Sequence, residues 1–248
     1  MDVVDFRDFY ATPLGAVVRS DVCALIHKMW PNFDVPSLNQ KHKDITLTYG
    51  YPLPYLSESS HHLAFMPASI GVIGWPKNCP RTALIEEDLF PLPDQSVDRL
   101  LVIHGLEISH NPTDLLEECR RVLVPEGRLL IITPNRRGLW ARRDATPLGR
   151  GLPYTMTQLS RLLRGASLTP TQFMRTLYTP PIDSNFAVSM QSLFEKMGEF
   201  MIPKFSGLIA IEAVKTVYCG IPTAKYSRRF QVALRTARVS RCVKDVSD

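Results

Sequence analysis

The chain has 248 residues, 45% hydrophobic and 21% charged, enough to bury a full core as one α/β domain. No run approaches the roughly 18 consecutive apolar residues of a membrane span. The opening MDVVDFRDF is acidic at once, which excludes the basic n-region of a signal peptide. Five cysteines (Cys23, Cys79, Cys119, Cys219, Cys242) are scattered without a CxxC pair, so a structural zinc is not expected and reduced thiols in a cytoplasmic protein are. The net charge of +5 sits in one place: Ile221 to Asp248 hold seven basic residues and two acids, 7 − 2 = +5. The rest of the chain is formally neutral, so the high pI describes a tail and not a basic fold.

Residues 1–40 read as a helical N-terminal region, broken near Pro13 and Gly15. Val17, Val18, Val22, Leu25, Ile26 and Met29 form an apolar helix stripe, and Trp30-Pro31 ends it. Ile45 to Gly50 is β-branched and apolar and reads as the first strand, with a polar turn (Gln40 to Asp44) before it. Tyr51-Pro-Leu-Pro-Tyr-Leu56 then makes a proline-bearing bend. Leu63 to Pro67 reads as a second strand and Thr82 to Glu86 as a third, followed by the acids Glu87 and Asp88. His61 and His62 are neighbours, point to opposite sides and share no ligand.

The organising stretch is Glu86 to Asn135. The turn PLPDQSVD leads into the apolar run RLLVIHGLE. A helix pattern follows from Pro112 to Val124, then the turn PEGR and a second apolar run, LLIITPN. Both runs lack polar alternation, as strands buried on two faces do, and a helix between them makes a right-handed βαβ crossover. Asn111 suits the N-cap, Pro112 the first turn and Asp114 the helix dipole. Leu115, Leu116, Cys119, Val122 and Leu123 line one face, and Glu117 to Arg121 is an i,i+4 pair of opposite charge.

This block resembles the class I S-adenosylmethionine-dependent methyltransferases, in particular the type 11 group. Pro93-Asp94, Ser96-Val97-Asp98, His104-Gly105, Leu115-Leu116-Glu117, Arg121-Val122-Leu123, Pro125, Gly127 and Pro134-Asn135 carry the likeness. It implies a Rossmann-like α/β fold: a seven-stranded, mostly parallel sheet with helices on both faces, the last strand antiparallel. The domain would span residues 1–220, with a lid-like insertion at 136–165, and residues 221–248 would form a mobile basic tail.

The resemblance also implies a cofactor, S-adenosylmethionine, and places it residue by residue. The family's glycine-rich loop follows the first strand; here Gly50 matches its first glycine, between Tyr49 and Tyr51. Pro52 and Pro54 stand where further glycines are usual, and Thr48 stands near the usual acid. The family's ribose-binding acid ends the second strand; Met66-Pro67 takes its place. An acid after the third strand holds adenine, which points to Asp88 first and Glu87 second, with Leu89 beside the ring. His104 and Gly105 fall at the cofactor's methionine side. His104 is also the candidate general base, since topology puts it where open α/β sheets bind ligands. The substrate side would hold Tyr10, Glu107, Arg136, Arg137 and Trp140, with Phe9 and Trp30 as further aromatics. No metal site is indicated.

After the fifth strand, five arginines, one Trp and one Asp fall in Arg136 to Arg150, a composition for an anionic or aromatic acceptor, or for RNA phosphates. The string ATPLG occurs at Ala11–Gly15 and again at Ala145–Gly149, as two similar turns at one cleft or by chance. Thr155 to Leu163 reads as a capped helix, Gln172 to Tyr178 as a sixth strand, Ser184 to Met201 as a helix and Gly207 to Tyr218 as the last strand. Glu212 and Lys215 argue for partial exposure or an end position of that strand. No NPPY-type motif follows the fourth strand, which by the resemblance turns away from adenine- or glutamine-amide methylation and leaves small molecules, RNA or protein carboxylates as acceptors.

The expected function is methyl transfer to an unidentified acceptor. The alternative is a non-catalytic methyltransferase-like binding or partner subunit. A third reading is a nucleic-acid binder using the arginine loop and tail, and the tail itself would suit RNA or an acidic partner. No membrane partner is expected.

Overall fold

The computed structural model describes residues 2–31, 33, 45–57, 62–76, 80–87, 89–182, 194–195, 198 and 203–216. The helix expected at 184–201, the turn at 40–44 and the tail at 221–248 lie outside or mostly outside them.

Seven strands form one sheet: β1 (Thr46–Gly50), β2 (Leu63–Pro67), β3 (Thr82–Ile85), β4 (Val97–Ile103), β5 (Leu123–Pro134), β6 (Thr169–Thr176) and β7 (Leu208–Val214). Their order is β3-β2-β1-β4-β5-β7-β6. β7 runs antiparallel to β5 and β6, and the other pairs are parallel. The strand order reverses between β1 and β4, the switch point where such sheets open a crevice at their carboxyl edge.

Three of the four α-helices start where a side chain accepts from their free amides. In α1 (Val3–Tyr10), Asp2 accepts from the amides of Val4 and Asp5 while the Asp5 side chain accepts from the Asp2 amide. In α2 (Pro13–Met29), Thr12 accepts from Gly15 and Pro13 occupies the first turn. α3 (Pro112–Val122) begins after Asn111, whose side-chain amide bonds Asp114 and not the backbone. α4 (Met156–Gly165) has a capping box of Thr155 and Gln158.

The pleat divides the sheet's side chains between two cores. Leu100 and Val102 of β4, with Leu129 and Ile131 of β5, face α3 and α4. Leu101 and Ile103, with Leu130 and Ile132, face α2. Both layers are fully buried, which is why the runs show no alternation.

Two buried polar groups are built into this frame. Glu212 of β7 accepts from the Trp30 indole at 2.8 Å, Arg128 at 3.1 Å and Thr171 at 3.1 Å. Lys215 Nζ donates to the Leu123 carbonyl at 2.6 Å. The exposure expected from these two residues is therefore corrected: both are buried, because partners on α2, β5 and β6 satisfy them. Arg121 of α3 explains the RVL part of the motif. It bonds Glu118 and Asp94 and the carbonyls of Phe90 and Leu92, pinning the β3–β4 connection to the helix. Those partners hold its guanidinium firmly charged.

Candidate functional site

The carboxyl ends of β1, β2 and β4 meet at Gly50, Pro67 and Ile103. Gly50 has φ +104°, and a Cβ there would lie 2.0 Å from the Ile103 carbonyl oxygen. Only glycine fits, because β1 leaves the sheet flush against the β4 backbone. The Tyr51 amide then donates to that same carbonyl at 2.9 Å. Pro52 and Pro54 have no N–H. The next residues close a tight turn, with Tyr55 donating to Pro52 and Leu56 to Leu53. So the bend after β1 spends its amide donors almost entirely on itself and on β4.

α1 lies across this edge. The Val3 amide donates to the Ile70 carbonyl, just past β2, at 2.7 Å. Phe6 and Tyr10, four residues apart, share the face turned to the sheet. The Phe6 ring stacks on Tyr51 with centroids 4.7 Å apart and tilts against His104 at 5.1 Å. Phe6, Tyr51, Met66 and Ile70 form one small apolar core. Phe6 is 1% exposed and Met66 is fully buried.

Beside this core stands a polar chain. His104 adopts φ 53°, a left-handed conformation that turns its ring into the hollow. Its Nδ1–H donates to Glu107 Oε1 at 3.1 Å, which leaves Nε2 to accept from the Tyr10 hydroxyl at 2.6 Å. Tyr55 bonds Tyr10 through its own hydroxyl and lies 3.4 Å from Nε2. Thr133 donates to the other Glu107 oxygen at 3.4 Å. Burial pushes the Tyr10 and Tyr55 phenols well up, so both keep their protons at neutral pH. Burial also raises Tyr51, to about 12.

Of the residues the sequence singled out, Gly50, Tyr51, His104, Gly105, Glu107 and Tyr10 converge here. Tyr49 faces the other way: its ring stacks on Phe90 in the α3–α4 core and lies under Gly105. Its hydroxyl is buried with no hydrogen-bond partner among the described residues. Glu87 accepts from the His110 amide at 2.9 Å and so ties the β3 turn to the loop after β4. Leu89 is exposed, and Asp88 is outside the described residues. Trp140 is 1% exposed and its indole donates to the Thr179 carbonyl, so the structure gives it a core position. Arg136 and Arg137 are exposed at the surface.

Sequence reasoning does not single out Phe6 or Ile70, and it marks Met66 only as the residue standing in place of a ribose-binding acid. Phe6 is legible in one way, as the residue one helical turn before Tyr10; Ile70 reads only as turn.

Three observations test whether this edge fits S-adenosylmethionine. Phe6 and Tyr51 fill the ground above β1 and β4. The bend offers few free amides. Buried Met66 stands where a ribose-binding carboxylate would be needed. With α1 seated, the residues present do not fit the cofactor. Among the described residues no group of His, Cys, Asp or Glu could hold a metal ion. No single described helix is long and apolar enough to cross a membrane.

The two ATPLG turns do meet. A cleft of about 330 Å³ is lined by Asp5, Asp8, Phe9 and Thr12 on one side and Arg143, Thr146, Pro147 and Arg150 on the other. Each turn opens a helical segment with Thr then Pro. Each glycine presses on an earlier carbonyl, Gly15 on Phe9 and Gly149 on Arg143.

Comparison with known proteins gives a consistent picture of the fold. Residues 76–131 match the family model of a methyltransferase domain. The structure is similar to a S-adenosylmethionine-dependent methyltransferase of Thermotoga maritima, described as a possible histamine N-methyltransferase. The TM-score is 0.58 at 13% identity, covering 86% of this chain and 96% of that one. It is similar to a methyltransferase of Archaeoglobus fulgidus, with TM-score 0.54 and 17% identity over 79% of this chain and 94% of the other. A [4+2]-cyclase, SpnF, has TM-score 0.52 and 14% identity, covering 79% of this chain and 80% of that one. A sequence comparison with curated proteins returns no match.

Proposed function

We propose, from the premise that this chain has the class I S-adenosylmethionine-dependent methyltransferase fold with a type 11-like segment at 76–131, that it works as a non-catalytic binding or partner subunit. The observation that carries this reading is the seating of Phe6 against Tyr51 at the carboxyl edge of the sheet. A fold does not fix an activity, and one similar structure is described as a cyclase. Here the chain's own N-terminal helix takes the ground that a nucleoside ligand would need. The hollow contributes core stability, and recognition passes to the outer surface.

One observation favours a second reading, methyl transfer to an unidentified small molecule, RNA or protein acceptor. His104 is held in a left-handed conformation, oriented by Glu107, with Nε2 turned to the hollow. If α1 swung away, Tyr10 would leave and Nε2 would be free to take a proton from an acceptor. The donor, when bound, would supply the methyl group. That arrangement still lacks the ribose carboxylate and the amide-rich loop.

Calorimetric titration of the full chain with S-adenosylmethionine and S-adenosylhomocysteine separates the two. The partner reading predicts no saturable heat up to about 1 mM ligand, a free energy weaker than about −4 kcal/mol. Saturable binding in the micromolar range would instead restore methyl transfer as the primary reading.

A further inference from the structure

The turn after β5 carries a second feature. Asn135 fixes it: its side-chain amide donates to the carbonyls of Lys204 at 3.1 Å and Ser206 at 2.8 Å, and its carboxamide oxygen accepts from Arg137. Gly138 packs directly on the Ser206 carbonyl, where a Cβ would come within 2.4 Å. The stretches 136–142 and 204–206 are therefore held side by side. Their outward side chains are Arg136, Arg137, Leu139, Arg142, Lys204 and Phe205. Leu139 and Phe205 are each 52% exposed. None of the four cations has an anionic partner among the described residues.

We propose that this surface docks an acidic, amphipathic protein segment. The inference rests on the partner-subunit reading and names the partner's chemistry. Three of the four cations are arginines, whose planar forks suit carboxylates two bonds at a time. Leu139 and Phe205 supply apolar anchors between them, as an interface core needs. A single-stranded nucleic acid fits less well. Stacking of successive bases needs several open aromatic faces; Phe205 is the one exposed ring among these six side chains, and the loop's tryptophan is spent inside, with its ring buried and its indole N–H on Thr179.

The test uses the full chain and a labelled synthetic peptide of about 20 residues, an amphipathic helix with Leu on one face and Glu on the other. Fluorescence anisotropy is the readout, with a scrambled peptide of equal charge, a polyuridine oligonucleotide and phosphatidylserine vesicles alongside. The expected result is binding with Kd of about 1–100 μM, weaker to the scrambled peptide. Arg136→Glu/Arg137→Glu/Arg142→Glu, with an unchanged circular dichroism spectrum, is expected to weaken it at least about tenfold. Should that variant misfold, Leu139→Ser/Phe205→Ser is expected to give a similar loss. Failure of the peptide to bind, binding untouched by these substitutions, or tighter binding of the oligonucleotide or vesicles overturns the proposal. A peptide failure leaves the calorimetric result with the methyl donor standing, and donor binding leaves the peptide result standing, so the two readings fail separately.

Discussion

Gly50→Ala is expected to prevent stable folding. The new methyl would lie 2.0 Å from the Ile103 carbonyl oxygen and 2.8 Å from the Gly105 amide nitrogen, backbone atoms at and just past the carboxyl end of β4. Neither can rotate aside, and φ at this position is +104°. An alanine must either break the β1–β4 pairing, which runs Thr46↔Arg99 through Gly50↔Ile103, or push the two strands apart. Either route costs more than about 4 kcal/mol, a large share of the 5–15 kcal/mol that stabilises an ordinary domain. Chemical denaturation followed by circular dichroism checks this. The result also bears on the motif. The glycine that the resemblance assigns to cofactor binding is required by the passage of two strands, with or without a ligand.

Phe6→Ala is the second large effect. If Phe6 fills the hollow as part of the core, truncation leaves a cavity between Tyr51, Met66 and Ile70 and removes a stacked ring pair. Deletions of this kind cost about 3–5 kcal/mol, and the lost aromatic contact belongs in that figure. In a domain of this size such a loss lowers the Tm by about 6–20 °C. A lid that merely rests on the surface would give less than about 0.5 kcal/mol. Differential scanning calorimetry of the purified variant distinguishes these outcomes. The magnitude matters because α1 has only eight residues, Val3–Tyr10, and meets α2 at a bend of 92°. A helix that short is marginal alone, so its seating depends on Phe6, Tyr10 and the Val3–Ile70 bond.

The fold was legible because its signal is repetitive and local. LLVI and LLIITP are apolar on both sides, and only a strand covered by helices on two faces asks for that. Asn111-Pro112, Thr12-Pro13 and Thr155 with Gln158 mark helix starts by chemistry that acts over three residues. The two ATPLG strings leave chance open in the sequence, and only the structure shows the shared geometry: one Thr-Pro start and one glycine pressed on a carbonyl, built twice at one cleft. What stayed hidden was direction and distance. Tyr49 and Tyr51 are two residues apart and end on different sides, one in the α3–α4 core and one against α1, with Gly50 reversing the chain between them. Trp140 looked like a lid aromatic because it lies among arginines, yet its partner Thr179 is 39 residues away. Glu212 and Lys215 looked like surface charges because Trp30 and the Leu123 carbonyl, which satisfy them, are 182 and 92 residues distant. A buried polar residue is recognisable only once its partner is known.

The filled hollow follows the same logic. Pro52, Pro54 and Met66 were visible departures from a nucleotide-binding edge, and each removes a group the cofactor would use. What they leave behind is apolar space at the end of a parallel sheet, which some side chain must cover. Phe6 and Tyr51 supply that cover. The polar chain from Tyr55 through Tyr10 and His104 to Glu107 closes the remaining side without leaving a bonding group of His104 unsatisfied.

The most direct measurement is a solution NMR titration of the full chain with S-adenosylhomocysteine, following contacts between the aromatic rings of Phe6 and Tyr51. The account predicts that ring-to-ring cross-peaks are present at the start and unchanged at about 1 mM ligand. Cross-peaks that disappear as the ligand saturates, with α1 amides shifting in step, would show that the helix yields to a nucleoside and that the hollow is a working cofactor site.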